Sequence, residues 1–511
     1  MADDGVRGGR RWRRFVAVGG AATGVIAVLL AVAVAVVYAR ADTSTVGSLG
    51  FRNALRIPPL DEGTVGSDGT RRFDLTVQAG ETVFLDDRPT ATWGVNGAYL
   101  GPTLRARTGE RVEVAVHNRI GEATSMHWHG MHLPAVMDGG PHQPIEPGDT
   151  WVPTWVVDQP AATLWYHPHP HGRTAQHVYR GVAGMFQIVD DASDGTSLPA
   201  TYGVDDIPLI VQDRKFDGDH QFDMNAGFLE STGVLGDKIL VNGTFDPHVT
   251  VRHEQVRFRL LNASNARFFE FGFADGRSFR LVATDGGFVD APAELTRVQL
   301  SPGERAEIVV EFEAGDEAVL RTFPHSAANF MFDRFTGGDD EFDVLAVRAA
   351  AILSPSEPVP HQLPSSDTPP ELSDVTVERR FTLGGNDING KQMDMGRIDA
   401  VVEAGSVELW EVRNQSGLPH NFHVHDVQFH VADVNGELPA THLRGRKDTV
   451  EVGNGATVRL LIRFGELADP NVAYMFHCHV LQHEDAGMMG QFVVVEPGGQ
   501  PGELDHAGHT H

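Results

Sequence analysis

Near the C-terminal end of the chain one stretch holds most of the groups able to do chemistry: Tyr474-Met475-Phe476-His477-Cys478-His479, followed by His483, Glu484, Met488 and Met489. Its cysteine is the only one among 511 residues, so no internal disulfide can form. On an extended chain the two-residue period sends His477 and His479 to one side and Cys478 to the other. One backbone segment then serves two sites. On the cysteine side a following loop brings in His483 and Met488, and one more histidine completes a His2Cys set with a weak thioether. Soft thiolate and imidazole with a distant methionine select copper and suit it to electron transfer. Taken alone, the segment also describes a buried thiol beside satisfied imidazoles, and Met489 reads as a core methionine.

Three more clusters decide between these readings. His127 and His129 flank Trp128, His167 and His169 flank Pro168, and His423 and His425 flank Val424. Histidines separated by one residue point the same way on an extended chain. With His477 and His479 they form four pairs, and eight imidazoles can converge on one site. His420 lies three residues before His423, so it faces the opposite side, where Cys478 lies, and supplies the missing histidine. No such pair follows Asn262 in the middle of the chain, so the metal site lies between the first and last thirds and the middle is a spacer.

These clusters sit on a repeating framework. Asn96-Gly97, Asn242-Gly243 and Asn389-Gly390 recur at nearly equal intervals, each followed by a strand-like segment that ends in Asn118, Asn262 or Asn414. An Asn-Gly turn, an extended link and a largely alternating apolar strand make a β unit. Three such units, broken by Gly, Pro and Asp, predict an all-β chain of Greek-key sandwiches or barrels rather than βαβ units. Punctuation near Asp190–Pro199 and the proline-rich Ser354–Pro370 sets the joints. The domains expected are 46–193, 194–365 and 366–497, with a flexible tail over 498–511 that carries His506, His509 and His511. The first 45 residues differ. Arg7, Arg10, Arg11, Arg13 and Arg14 precede an uncharged, mostly apolar run over Phe15–Tyr38. That pattern predicts a transmembrane or signal helix with a cytoplasmic N-terminus, leaving the rest on the extracytoplasmic face of the plasma membrane or secreted. Arg13-Arg14-Phe15 also looks like a twin-arginine export signal. The formal charge of -28 argues against nucleic acid as a partner.

On the four histidine motifs the chain, from about Phe51 to Glu496, resembles the three-domain multicopper oxidases of the laccase type, built from cupredoxin domains. Through His477–Met489 and Asp138-Gly139-Gly140-Pro141 it is similar to bacterial copper-efflux cuprous oxidases and their laccase relatives. The resemblance implies four copper ions: a type 1 ion on His420, Cys478, His483 and Met488, a type 2 ion on His127 and His423, and a type 3 pair on His129, His167, His169, His425, His477 and His479. No ligand of the family pattern is missing. It further implies that a reducing substrate gives up electrons singly beside Cys478, and that O2 is reduced to water at the three-copper cluster. Asp138 and Glu484 match acidic residues that relay protons there, although Asp138 before two glycines also reads as a turn residue. Asp448, in Arg446-Lys447-Asp448-Thr449, reads as structural.

Substrate is less specified. Cuprous oxidases carry a Met-rich insertion, whereas this chain has 12 Met in all. Met393 and Met395 around Asp394, and Met331 near Asp333, read as packing residues. A phenol or aromatic amine is therefore the expected donor, with Cu(I) or another metal ion second. A non-catalytic copper-binding scaffold and a copper nitrite reductase are the alternatives. The complete ligand set counts against the first, and three repeats with a full type 3 set count against the second.

Overall fold

The repeats are visible as six β-sheets arranged in three pairs. The computed structural model describes residues 28–32, 35–38, 41–227, 232–325, 333–365 and 368–504. Sheets of six and five strands enclose one core, seven and six the second, and five and five the third. The alternation read over the first repeat is realised in Arg111–Arg119, where Val112, Val114, Val116 and Asn118 are buried and the residues between them are not. Its middle counterpart Gln255–Asn262 is buried throughout, because both of its faces are covered.

The three units share a register as well as a pattern. Arg71–Thr82 runs parallel to Arg111–Arg119, Asp206–Arg214 to Gln255–Asn262, and Val377–Leu383 to Val407–Asn414. In each case the closing asparagine sits opposite an equivalent aliphatic residue: Val77 opposite Asn118, Val211 opposite Asn262, Leu383 opposite Asn414. One residue earlier, the turn asparagine clasps the same strand. Asn96, Asn242 and Asn389 adopt φ of 55°, 50° and 57°, a left-handed conformation that asparagine tolerates. Their Oδ1 atoms accept the backbone N–H of Thr76, Ile210 and Thr382 at 2.7, 2.8 and 2.8 Å.

The closing asparagines build a second brace. The Oδ1 of Asn118, Asn262 and Asn414 accepts the N–H two residues ahead, at 3.0, 3.0 and 2.9 Å. Their amide groups donate to the distant carbonyls of Ile145, Leu300 and Val452 at 2.7, 2.9 and 2.9 Å. Each brace fixes the start of the segment that follows. In the first and third units that segment becomes the histidine-bearing strands His127–His129 and His420–Val424. In the middle unit Phe269–Phe273 takes the corresponding place in the sheet order, and Phe269, Phe271 and Phe273 fill its core.

Two placements differ from the sequence grouping. Asn53–Ala54 pairs in parallel with Pro247–His253, so it joins a sheet of the middle sandwich. The transmembrane or signal helix expected over Phe15–Tyr38 falls mostly outside the described residues. Its described parts, 28–32 and 35–38, are helical and exposed, and among the described residues no helix is long and apolar enough to cross a membrane. Met331 and the tail histidines His506, His509 and His511 also lie outside the described residues.

Candidate metal centre

Strand Asp469–His477 ends at the paired residues, and the short helix Leu481–Asp485 follows. This break lets Cys478 face away from His477 while the helix returns His483 to the same place. Cys478 Sγ lies 3.4 Å from His420 Nδ1 and 3.8 Å from His483 Nδ1, and the two nitrogens are 3.1 Å apart. Ser416 Oγ lies 2.8 Å from His420 Nε2, which leaves Nδ1 for the shared point. Met488 is buried in the same core as Cys478. Its carbonyl accepts from Cys478 N–H at 3.2 Å, and its own N–H donates to the His483 carbonyl at 2.9 Å. Burial pushes the Cys478 thiol up to about 12, so the metal-free site holds a neutral thiol whose deprotonation needs a cation.

On the other face the eight histidines of the four pairs meet. All are essentially inaccessible to solvent. Strand pairing sets their positions: His129 lies opposite Trp165 and His127 opposite His167, while His423 lies opposite His477. Three groups have ligand atoms within 4.8 Å of one another: His129, His167 and His479; His169, His425 and His477; and His127, His129 and His423.

Hydrogen bonds on the outside of this cluster fix which nitrogen faces in. Nδ1–H of His127 donates to the Asp138 carbonyl at 3.0 Å, that of His423 to the Asp448 carbonyl at 2.8 Å and that of His167 to the Pro168 carbonyl at 2.9 Å. His425 Nδ1–H donates to Asp138 Oδ2 at 2.7 Å and His477 Nδ1–H to the Cys478 carbonyl at 3.2 Å. The opposite nitrogens are therefore lone pairs. Those of His127 and His423 find no hydrogen-bond partner among the described residues. His477 Nε2 lies 3.2 Å from both His169 Nε2 and His425 Nε2, and His479 Nε2 lies 3.4 Å from His167 Nε2. Buried lone pairs converging without donors need a cation between them. Burial first, and neighbouring rings second, hold His129, His167, His169, His423, His425 and His479 well below the usual imidazole value. Neutral rings are the form that binds metal. The residues fit copper on both faces of the His-Cys-His segment.

Two acids border the cluster. Asp138 follows the short turn Ala135–Met137 and, besides holding His425, places Oδ1 3.3 Å from His127 Nδ1. The turn requires the glycine after it: Gly139 has φ +77°, and a Cβ there would lie 1.7 Å from the Met126 carbonyl oxygen. Glu484 has Oε1 3.5 Å from His169 Nδ1 and Oε2 3.3 Å from His477 Nδ1. Burial raises its carboxyl well above the ordinary value, which favours the protonated form.

Sequence reasoning read Asp448 as structural and passed over Arg305. Asp448 Oδ1 accepts from His129 Nε2 at 3.0 Å, and the carboxylate is ion-paired with Arg305 at 2.6 Å, all of it fully buried. The middle segment contributes no histidine to these groups, but it is more than a spacer. Arg305 comes from it, Gly303 packs on His129 and His479, and Ser301 and the Pro302 carbonyl hold Asn421 at 3.0 and 2.8 Å. The only sequence signal was a charged Lys447-Asp448 pair beside an apolar strand.

Three β-sandwiches with a His-Cys-His segment shared between a Cys/His2 group and an eight-imidazole cluster define a copper-dependent oxidoreductase. The family described as Multicopper oxidase matches residues 76–193, 208–331 and 355–498, and the chain belongs to it. It is 38% identical over 448 residues to the cell division protein FtsP of Sodalis glossinidius, covering 86% of this chain and 92% of that protein. It is 34% identical over 454 residues to the multicopper oxidase mco of Staphylococcus aureus, covering 87% and 93%. The crystal structure of a laccase from Pediococcus acidilactici superposes with a TM-score of 0.79 at 33% identity, covering 88% of this chain and 94% of that one.

Proposed function

We propose that the protein is a laccase-like oxidase that takes electrons from a phenol or aromatic amine and delivers them to O2. In this reading His420, Cys478, His483 and Met488 hold a type 1 copper, and His127 and His423 a type 2 copper. The triads His129, His167, His479 and His169, His425, His477 hold the type 3 pair. When bound, the copper ions supply one-electron uptake from the donor and reduction of O2 to water. The chain supplies connection, orientation and protons. Cys478 is covalently continuous with His477 and His479, so the two groups are joined through a few bonds; this shared segment is the observation that carries the proposal. Asp138 and the carbonyls around the cluster aim the ring nitrogens inward, and Glu484 keeps a proton within reach of His169 and His477. The arginine-rich leader supports an extracytoplasmic location.

A metal-ion oxidase is the second reading. Met393 and Met395 are half-buried on either side of exposed Asp394, and Met393 N–H donates to the Gly487 carbonyl at 2.8 Å, beside Met488. A thioether–carboxylate loop next to the cysteine site suits a soft cation.

Oxygen uptake by copper-loaded protein lacking residues 1–41, with the visible spectrum recorded, tests both. Intense blue absorbance with phenol-driven uptake supports the first reading, and uptake driven by Cu(I) alone selects the second. A fully loaded sample with neither would rule out an oxidase and favour a non-catalytic copper-binding role.

A further inference from the structure

Arg305 is satisfied at every donor. A guanidinium offers five N–H groups in a fixed planar fork, and here each has an acceptor. Nε donates to the Thr163 carbonyl at 3.0 Å, Nη1 to the Gly303 carbonyl at 3.1 Å and to Asp448 Oδ1 at 2.7 Å, and Nη2 to the Asp285 carbonyl at 3.0 Å and to Asp448 Oδ2 at 2.6 Å. Thr163, Gly303 and Asp285 come from two different sandwiches, and Asp448 from the third. Lys447 balances the remaining carboxylates, with Nζ 2.9 Å from Asp285 Oδ2 and 2.8 Å from Glu304 Oε1. The arginine cannot turn without breaking several of these bonds, and neither can the carboxylate it grips.

Asp448 transmits that rigidity to the metal cluster. Its Oδ1 also accepts from Thr449 Oγ1 at 2.9 Å and from His129 Nε2 at 3.0 Å. A carboxylate that only accepts compels His129 to carry its proton on Nε2. Nδ1 is then the lone pair, and it has no hydrogen-bond partner among the described residues. His129 is the ring common to two of the three groups of converging nitrogens. The Asp448 backbone carbonyl also orients His423, which stacks on His129 with ring centroids 3.8 Å apart.

We propose that Arg305 is a positioning residue of the eight-histidine metal cluster: through Asp448 it fixes the tautomer and angle of His129, so the histidine-free middle sandwich helps set the metal affinity of a site between the other two. This rests on the copper reading above. An orienting partner behind a metal-binding histidine commonly changes metal affinity about 10- to 100-fold when removed. Lysine at this position would keep the charge but lose the planar fork.

The test compares the full chain with Arg305→Lys and with the near-isosteric Asp448→Asn. Copper per chain, copper affinity by competition with a chelator, blue absorbance, electron-spin count and the melting temperature of the metal-free protein are measured. In both variants the blue band stays while affinity at the eight-histidine cluster falls about 10- to 100-fold, with copper lost selectively from it and the spin count altered. If Arg305→Lys does not fold, Asp448→Asn carries the same reading alone. Lower melting temperatures with native copper content and spin count would reduce Arg305 to a structural brace and overturn the proposal, as would equal loss of copper from both sites. Failure of the unaltered chain to bind copper would count against the copper reading instead.

Discussion

At the scale of single residues, the proposed oxidase makes Glu484 the acid expected to act as a proton source. It lies close to Nδ1 of two rings of one triad, neither oxygen has a hydrogen-bond donor among the described residues, and burial favours its protonated form. Glu484→Gln keeps the shape and removes the acid. Steady-state oxygen uptake is expected to fall about 100-fold or more, while anaerobic reduction of the blue site by the donor, followed by stopped flow, keeps its rate. A fall in both rates would mean that the substitution disturbed the ligands rather than the proton supply. The convergence of the histidines was legible in the sequence because side-chain direction on a strand depends only on parity: His-x-His pairs must share a side, and His420 must face away from His423. The pair His127 and His423 came only through the family resemblance, and the division of the other six into two triads was not legible, since it depends on how strands from different sandwiches are offset. Asp448 read as structural, but its bond to His129 and its pairing with Arg305 escaped for a related reason: the burial of an ion pair is a property of the assembled interface, and an isolated Asp beside Lys447 reads the same at the surface.

At the scale of elements, the repeated asparagine brace makes one chemical device serve different ends. Asn118, Asn262 and Asn414 are fully buried and bonded alike, yet only the first and third precede metal-facing strands. Removing a buried amide leaves a distant carbonyl and a turn N–H unpaired, at about 1–3 kcal/mol per orphaned group. Asn262→Ala and Asn414→Ala should therefore lower the melting temperature by similar amounts. Only Asn414→Ala should also shift the blue absorbance, because Asn414 accepts from Ser416 N–H, and Ser416 in turn contacts His420. Equal spectra in the two variants would show that the brace supports the fold without tuning the site. The Asn-Gly turns and alternating strands exposed the threefold repeat in the sequence because each is a local signal. The pairing of Asn53–Ala54 with Pro247–His253 was not legible, as a two-residue strand has no pattern of its own.

At the scale of the whole molecule, the metal cluster should dominate the response to pH. In the metal-free protein, burial and mutual repulsion hold His129, His167, His169, His420, His423, His425 and His479 well below their usual value, and His477 at about 3. In the unfolded chain the same rings titrate near pH 6.5. Below that pH the unfolded state binds protons that the folded state refuses, so stability falls with the pH. Each ring contributes up to about 1.4 kcal/mol per pH unit, continuing down to its folded value. Two terms oppose this. Glu484, held well up, Asp485, raised to about 7, and Glu304, Asp426 and Asp448, also raised by burial, favour the folded state as pH falls, and protonation of surface carboxylates relieves the repulsion of a net charge of -28. The first involves fewer groups than the seven cluster rings and His420 named above, and ordinary carboxylates titrate mainly below about pH 5. Between pH 6.5 and 5 the imidazoles therefore win. Melting temperatures of the metal-free protein are expected to drop steeply over that interval. The copper-loaded protein should change less, because bound ions hold the nitrogens against protons until acid displaces them. Thermal melts of both forms at several pH values provide the comparison, and the surface terms cancel between them. A metal-free protein as insensitive to pH as the loaded one would mean that its rings take up protons without unfolding, and that the eight-histidine site opens to water when the metal leaves.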